Sequence, residues 1–299
     1  MGRTRALAHP TAVHRLLFLA TLLLALSGCE SLFFYPQRTL RPNPHLAKVA
    51  HTEVELTTPD GLRLHGWRLA PPATPPRATI LFFHGNAENI STHVNGVLWL
   101  ALAGYQVVLF DYRGYGQSEG KPTLAGIHQD GEAALAWVRT GGGVDPARLV
   151  VYGQSMGGAV ATYAVARAPG VPRVRALIVE SGFASYRDIF RQKLATFFLT
   201  WPFQIPLSLP IHDDLSPARW IGRVSPTPVL LVHGDRDPIV GVAESRRLYD
   251  QARQPKALWI GAGAGHITTF ADPALRARLL AFLAAATAVG ETTEATQPR

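Results

Sequence analysis

The feature that most narrows what this chain can fold into is a change of period in mid-sequence. An apolar, β-branched run at 149–152 stops at Gly153, a single serine follows, and Gly157 and Gly158 lead into the alanine-rich stretch 159–164. A short continuous apolar run suits a strand buried on both faces, and the alanine-rich stretch suits a helix. The junction Gly153-Gln154-Ser155-Met156-Gly157 is then a sharp strand-to-helix corner of the G-x-S-x-G type, with the serine oxygen projecting from the end of a sheet. Its two glycines have no Cβ, so neighbouring backbone can approach closely. The helix that opens there aims its free N–H groups and its dipole at any negative charge forming beside the serine. Ser155 is the candidate nucleophile.

The rest of the chain supplies a sheet for that corner. Buried-type strands at 78–83, 106–110, 149–152, 174–179, 228–232 and 257–260 alternate with helix-type segments near 91–103, 124–139, 157–168, 241–252 and 273–287. That alternation predicts an α/β fold with a mostly parallel central sheet and helices on both faces. Ahead of it, 52–57 and 62–69 alternate apolar and polar residues around the turn Pro59-Asp60-Gly61, which predicts an antiparallel hairpin. Segment 183–224 breaks the rhythm with Phe190, Phe197, Phe198, Trp201, Phe203 and Trp220 among several prolines. Structureless loops of that length are uncommon in compact domains, so it reads as a small cap insertion. Residues 289–299 read as a flexible tail.

A serine hydroxyl is a poor nucleophile at neutral pH. It needs a base for its proton, and the base needs a carboxylate to fix its tautomer. On this architecture the order should be Ser, Asp, His, each just after a strand. The strand at 228–232 runs into His233-Gly234-Asp235-Arg236-Asp237, and the strand at 257–260 runs into Gly261-Ala262-Gly263-Ala264-Gly265-His266. Among the 11 histidines only His266 follows the acid. Asp235 and Asp237 both sit in the turn, and spacing alone leaves the acid open between them. A developing oxyanion needs two fixed N–H donors. Met156, directly after the nucleophile, supplies one. The turn His84-Gly85-Asn86-Ala87 is similar to the His-Gly-led loop of lipases and esterases, and Asn86 N–H is assigned as the other, its side chain being given no role.

Together with Asp111-Tyr112-Arg113-Gly114-Tyr115-Gly116-Gln117-Ser118-Glu119-Gly120, these segments make the chain resemble the α/β-hydrolases over 51–288. The nearest likeness is the BEM46-like branch of serine hydrolases, close to the serine aminopeptidase group. The resemblance favours Asp237 as the acid, leaving Asp235 to bond loop backbone, and implies a Ser155–Asp237–His266 triad with no cofactor. It also marks a departure: related enzymes often carry Asn-Asp after the histidine, where this chain has Ile267-Thr268. The Gly114–Gly120 spacing lies near a dinucleotide fingerprint but opens no long helix, so it reads as a structural turn. No Walker motif or paired-histidine metal spacing is present, and neither a metal nor a bound cofactor is expected.

The N-terminus has a different character. Arg3, Arg5 and Arg15 precede the apolar run 16–26, which is too short to span a bilayer comfortably and is built like a secretory signal peptide. It ends in Leu26-Ser27-Gly28-Cys29, resembling the lipobox of bacterial lipoproteins. That resemblance implies cleavage before Cys29 and lipidation of this cysteine, the single one in the chain. By the same family's sorting rule, Glu30 points to the outer membrane if the source is a diderm bacterium. An uncleaved N-terminal anchor is the other reading. Residues 1–29 are thus expected as a signal peptide, 30–50 as a tether rich in proline whose Leu32-Phe33-Phe34-Tyr35 can dip into lipid or pack on the domain, and the catalytic domain as held at the cell envelope. Three of the 29 basic residues belong to the leader, and the remaining 26 stand scattered against 21 acidic ones, which argues against a nucleic-acid partner.

Residues and resemblance together predict a serine hydrolase cleaving acyl esters or thioesters of a small-molecule or lipid-like substrate. The aromatic cap points to an apolar acyl chain or small hydrophobic ester, and an exposed interfacial patch would give the same composition. A serine peptidase of the aminopeptidase type is the rival within enzymes, and a non-catalytic binding module on the same fold is the rival outside them.

Overall fold

The computed structural model describes residues 33–140, 143–168, 174–196 and 198–288. The leader with Cys29 and the tail 289–299 lie outside the described residues. Eight strands build one sheet: β1 (His51–Thr57), β2 (Arg63–Leu69), β3 (Thr79–Phe83), β4 (Gln106–Phe110), β5 (Leu149–Gln154), β6 (Ala176–Glu180), β7 (Val229–Gly234) and β8 (Lys256–Gly261). Their order is β8-β7-β6-β5-β3-β4-β2-β1. The hairpin β1–β2 and the β2–β4 pair are antiparallel, and every other pair is parallel. The fold is that of an α/β-hydrolase, as the sequence predicts.

The period-2 alternation of buried strands divides the core in two. Leu81, Phe83, Val151, Leu177, Val179 and Leu231 join one core, while Ile80, Phe82, Val150, Tyr152, Ile178 and Leu230 join the other. Against the first pack α2 (Leu124–Thr140), α3 (Met156–Arg167) and α5 (Val242–Gln251). Against the second pack α1 (Leu98–Leu102) and α6 (Pro273–Thr287). The single helix expected over 91–103 is broken into Ile90–His93, a turn at Val94–Gly96, and α1. The break falls where helix propensity is low, at two valines and a glycine. Gly96 also lies against Gln154, so close that a Cβ there would meet its side chain at 3.2 Å. Among the described residues no helix is long and apolar enough to cross a membrane.

Residues 33–50, expected as a tether, are instead bound into the domain. Phe33 and Phe34 are buried in the first core, Phe33 edge-on to Tyr186 with ring centroids 5.7 Å apart. Tyr35–Pro36 pairs in parallel with Ala87–Glu88. Asn89 Nδ2 donates to the carbonyls of Gln37 (3.0 Å) and Thr39 (2.8 Å). Two adjacent aromatic side chains next to open backbone groups are better satisfied by burial and strand pairing than by water, and this segment is a strap across the end of the sheet.

The cap begins with α4 (Tyr186–Ala195), started by Ser185, whose Oγ accepts from Asp188 N at 3.0 Å. Its later part consists of single turns, Trp201–Phe203, Gln204–Ser208 and Pro217–Trp220, because prolines interrupt every longer run.

The corner after β5 depends on its glycines. A Cβ on Gly157 would stand 2.1 Å from the Phe83 carbonyl oxygen, and one on Gly153 would stand 2.3 Å from that of Gly157. Both obstacles are backbone, which cannot swing aside. Gly157→Ala is expected to lower unfolding stability by about 1–3 kcal/mol or prevent folding, as read by urea denaturation. An alanine variant as stable as the wild type would contradict this packing.

Candidate active site

Ser155 joins β5 to α3 with φ 53° and ψ −120°, a left-handed backbone that a residue with a Cβ rarely adopts. Such strain costs of order 1–3 kcal/mol and persists only where the surroundings impose it. Part of the imposition is visible in Ser155 N, which donates to Glu180 O at 2.9 Å, off the end of β6.

The Glu180 side chain extends the same grip. It is buried and accepts from Tyr152 Oη, from Gln154 Nε2 at 2.7 Å, and, on its other oxygen, from Thr269 N at 3.1 Å. The next residue, Ser181, is also left-handed (φ 52°), and its Oγ accepts from Ile267 N at 3.0 Å. The tip of β6 therefore holds the serine corner on one side and the histidine loop on the other. At Ile267 and Thr268, where the resemblance leads to an expectation of Asn-Asp, the loop is tied down by other means. Ile267 bonds Ser181 through its backbone, and Thr268 Oγ1 accepts from Gly265 N at 2.9 Å. Sequence reasoning missed Glu180 and Ser181. The available signal was an acidic residue closing an otherwise apolar strand, where a charge is seldom placed without a partner.

His266 follows β8 and meets Asp237 after β7. Its Nδ1 lies 2.7 Å from Asp237 Oδ2, with the carboxyl side chain fully buried and the imidazole 14% exposed. Asp237 Oδ1 accepts from Ile239 N and Val240 N, both at 2.9 Å. Burial by itself pushes the Asp237 carboxyl up. Bonds from His233, His266 and the two backbone N–H groups outweigh it and hold the pKa far below the ordinary carboxylate range. The group is thus an anion under any physiological condition. His233 is a further partner that sequence reasoning set aside. Its Nε2 donates to Val240 O (2.8 Å) and lies 3.3 Å from Asp237 Oδ2, while Nδ1 sits 2.6 Å from Ser245 Oγ. Asp235 is turned away from the histidine, its Oδ1 accepting from Gly263 N at 2.6 Å. It bonds loop backbone.

The loop after β3 faces the serine corner. Tyr112 Oη donates to His84 O at 3.0 Å, and Tyr115 Oη donates to Asn86 O (2.8 Å) and Oδ1 (2.9 Å). Asn86 Nδ2 donates to Phe33 O in the strap. The Asn86 side chain, given no role from the sequence, is therefore what fastens this loop to its neighbours. The Gly114–Gly120 turn is structural, with Arg113 spanning Asp130 and Asp60. Met156 opens α3, so its N–H belongs to the first turn, whose amides have no partner within the helix.

These groups surround one cavity of about 180 Å³. Ser155, Met156, Asn86 and His266 line it at the end of the sheet; Phe183 and Ile189 line it from the cap segment, and Ile239 and Val240 from the turn after β7; Phe33 and Tyr35 close it from the strap. His93 also borders it, but burial lowers its pKa and its Nε2 is engaged by Ala87 O at 2.8 Å, which makes it a support for the loop. No Asp or Glu is among the described residues that line the cavity, and Lys193 is the cation there. Among the described residues no group of three or more His, Cys, Asp or Glu is placed to hold a metal ion.

Comparison with known proteins agrees with this architecture. The family described as "Serine aminopeptidase, S33" matches residues 74–223, which is half of the chain. YfhR of Escherichia coli K12 is 39% identical over 246 residues, covering 80% of this chain and 81% of that protein. The bem46 protein of Schizosaccharomyces pombe is 31% identical over 207 residues, covering 67% and 64%. Among solved structures, the esterase Pf2001 of Pyrococcus furiosus shares the fold with a TM-score of 0.68 at 23% identity, over 85% of this chain and 98% of that one. The chain belongs to the serine aminopeptidase S33 family of α/β-hydrolases, in its bem46-like branch, and its class is that of a hydrolase.

A second carboxyl beside the site behaves oppositely to Asp237. Asp111 directly follows β4 and is fully buried, where desolvation pushes its pKa up to about 8; the bond from Ile90 N and the charge of Arg38 oppose this without offsetting it. Its neighbour His84, 3.5 Å away, donates Nδ1–H to Gly85 O, and burial keeps the ring neutral. The folded chain thus keeps a proton on Asp111 that the unfolded chain loses near pH ~3.9. Stability relative to Asp111→Asn should fall as pH rises from about 4 to about 8, by of order 1 kcal/mol per pH unit, and level off above. Thermal unfolding of both proteins between pH 5 and 9 measures this, and parallel curves would contradict a neutral Asp111.

Proposed function

We propose that the chain is a serine hydrolase that cleaves acyl esters or thioesters at the cell envelope. The observation that carries the reading is the 2.7 Å bond between His266 Nδ1 and a buried, anionic Asp237, on an imidazole that shares its cavity with the strained Ser155. Asp237 accepts the Nδ1 proton, so the lone pair of His266 is on Nε2. His266 takes the proton of Ser155 Oγ as that oxygen attacks the acyl carbonyl carbon. The carbonyl oxygen becomes an oxyanion held by the N–H groups of Asn86 and Met156. His266 then hands the proton to the departing alcohol or thiol, leaving an acyl-serine. Water, deprotonated by the same histidine, attacks the acyl-serine and releases the acid, and Ser155 regains its proton.

The lining of the cavity favours this reading over an aminopeptidase. A peptide N-terminus carries an ammonium group, and burying it calls for a carboxylate partner. The described lining residues offer none and present Lys193 instead. Apolar side chains suit an acyl group. At about 180 Å³ the cavity is below the ~300–1,000 Å³ that takes up a drug-sized ligand, so it holds the reacting end of a substrate whose remainder lies at the mouth. Anchoring through lipidated Cys29 belongs to the same proposal. It places the domain at the envelope, on the outer membrane if the source is a diderm bacterium.

A fluorophosphonate probe should label the folded protein at Ser155, and Ser155→Ala should abolish the labelling. Asp237→Asn should lower kcat on a p-nitrophenyl ester by about 10⁴-fold, while Asp235→Asn keeps most of the activity. Faster turnover of aminoacyl-nitroanilides than of esters would favour the peptidase, and no labelling of the wild type would leave a binding module. Mass spectrometry of the mature N-terminus tests the anchor, and an unmodified Cys29 still joined to Gly28 would refute it.

A further inference from the structure

The cap carries an apolar surface that the catalytic proposal does not use. Residues 194–211 contain no Asp, Glu, Lys or Arg. Within them Leu199, Trp201, Phe203, Ile205 and Leu209 are each more than half exposed. Isolated exposed apolar residues are ordinary, but five within eleven positions of one folded segment form a patch of the kind that marks an interaction surface. The segment is not a loose loop, since it folds back on α4. Thr200 Oγ1 donates to Leu194 O at 2.6 Å, and Arg191 Nε reaches Ser208 Oγ at 3.4 Å.

The patch adjoins the mouth of the cavity. Ile189 and Lys193, one turn apart on α4, both line the cavity. Lys193 Nζ stands 5.5 Å over the Tyr35 ring in the strap. Tyr35 and Ile239, also at the cavity, are half exposed. Cap helix, mouth and strap thus meet at the cavity, and each carries exposed apolar or aromatic groups in or next to its cavity-lining residues. Lys193 among them can bury its stem while its ammonium stays in a polar layer.

The path of the chain identifies what covers this face. Phe33 packs at the cavity wall, and Cys29 is four residues before it, so the two lie no farther apart than ~14 Å of extended backbone. A membrane attachment there, through a lipidated Cys29 or an uncleaved 16–26 anchor, would tether the chain within ~14 Å or ~25 Å of the cavity wall. Trp and Phe without nearby charge are the groups that settle at a membrane interface.

We propose that the cap segment 199–209, with Tyr35 and Ile239, docks onto a phospholipid bilayer, so that the cavity opens against the membrane and takes its acyl substrate from the lipid. The docking rests on the exposed patch and the chain path; the delivery of substrate rests on the hydrolase reading. Full-length protein reconstituted in phosphatidylethanolamine–phosphatidylglycerol vesicles tests it. The fluorescence lost in Trp201→Phe isolates the signal of Trp201. That signal should be quenched by lipid carrying a doxyl label on its acyl chain, and Leu199→Glu/Ile205→Glu should abolish the quenching. A chain tethered without docking leaves Trp201 in water and unquenched, which overturns the proposal. So does a dimer, seen by sedimentation, that the double substitution dissociates, because the patch would then cover a second copy. The double variant should hydrolyse a soluble p-nitrophenyl ester at the wild-type rate and an ester dissolved in the vesicles at least tenfold more slowly. If the protein hydrolyses no ester at all, the catalytic reading fails while the quenching still reports the docking.

Discussion

A serine held at φ 53° is the constraint on which the rest of the molecule depends. That backbone is stable only because β5 enters the corner and α3 leaves it with almost no room to relax. Gly157 lies against the Phe83 and His84 carbonyls, Gly153 lies against Gly157, and Glu180 O fixes the serine amide. Relief would require β3 or β6 to move, and both are buried in the middle of the sheet. The strain at one residue is thus supported by two apolar cores. The geometry of the proposed nucleophile and the stability of the fold are then the same problem.

The tip of β6 converts that local constraint into a shared one. Glu180 and Ser181 bond the serine corner and the loop bearing His266, so the two cannot shift independently. Asp237 is fixed separately, by the backbone of its own turn and by His233. On the loop after β3, Asn86 is bound by Tyr115 and by the strap. Each group that faces Ser155 therefore has its own anchor. The strap makes the segment from Phe33 onward part of the site and joins it to the loop proposed to hold the oxyanion.

Much of this was legible in the sequence, for identifiable reasons. Strands buried on both faces leave continuous apolar runs, and β3 to β8 fall within two residues of where those runs lie. Chain order pointed to the 235–237 turn and to His266 because the fold presents them at successive strand ends, and only the tertiary geometry brings Asp237, and not Asp235, to the imidazole. The strap was not legible: Phe33 and Phe34 read equally well as lipid-facing or core, and only tertiary pairing with Ala87–Glu88 decides. Glu180 was hidden for a similar reason. A single acidic residue at a strand end carries no period, and its three donors come from segments up to 89 residues away. The cap's proline-rich composition foretold interruption, but its exposed face depends on how single turns stack on α4.

The proposed chemistry requires that Ser155, His266 and the two amides converge on one reacting acyl group. A crystal structure of the protein after reaction with a phosphonate ester measures this directly. The adduct should sit on Ser155 Oγ with its phosphoryl oxygen about 2.7–3.1 Å from the N–H groups of Asn86 and Met156, and His266 Nε2 should face the leaving-group side. An adduct on another residue, or a phosphoryl oxygen directed away from both amides, would contradict it.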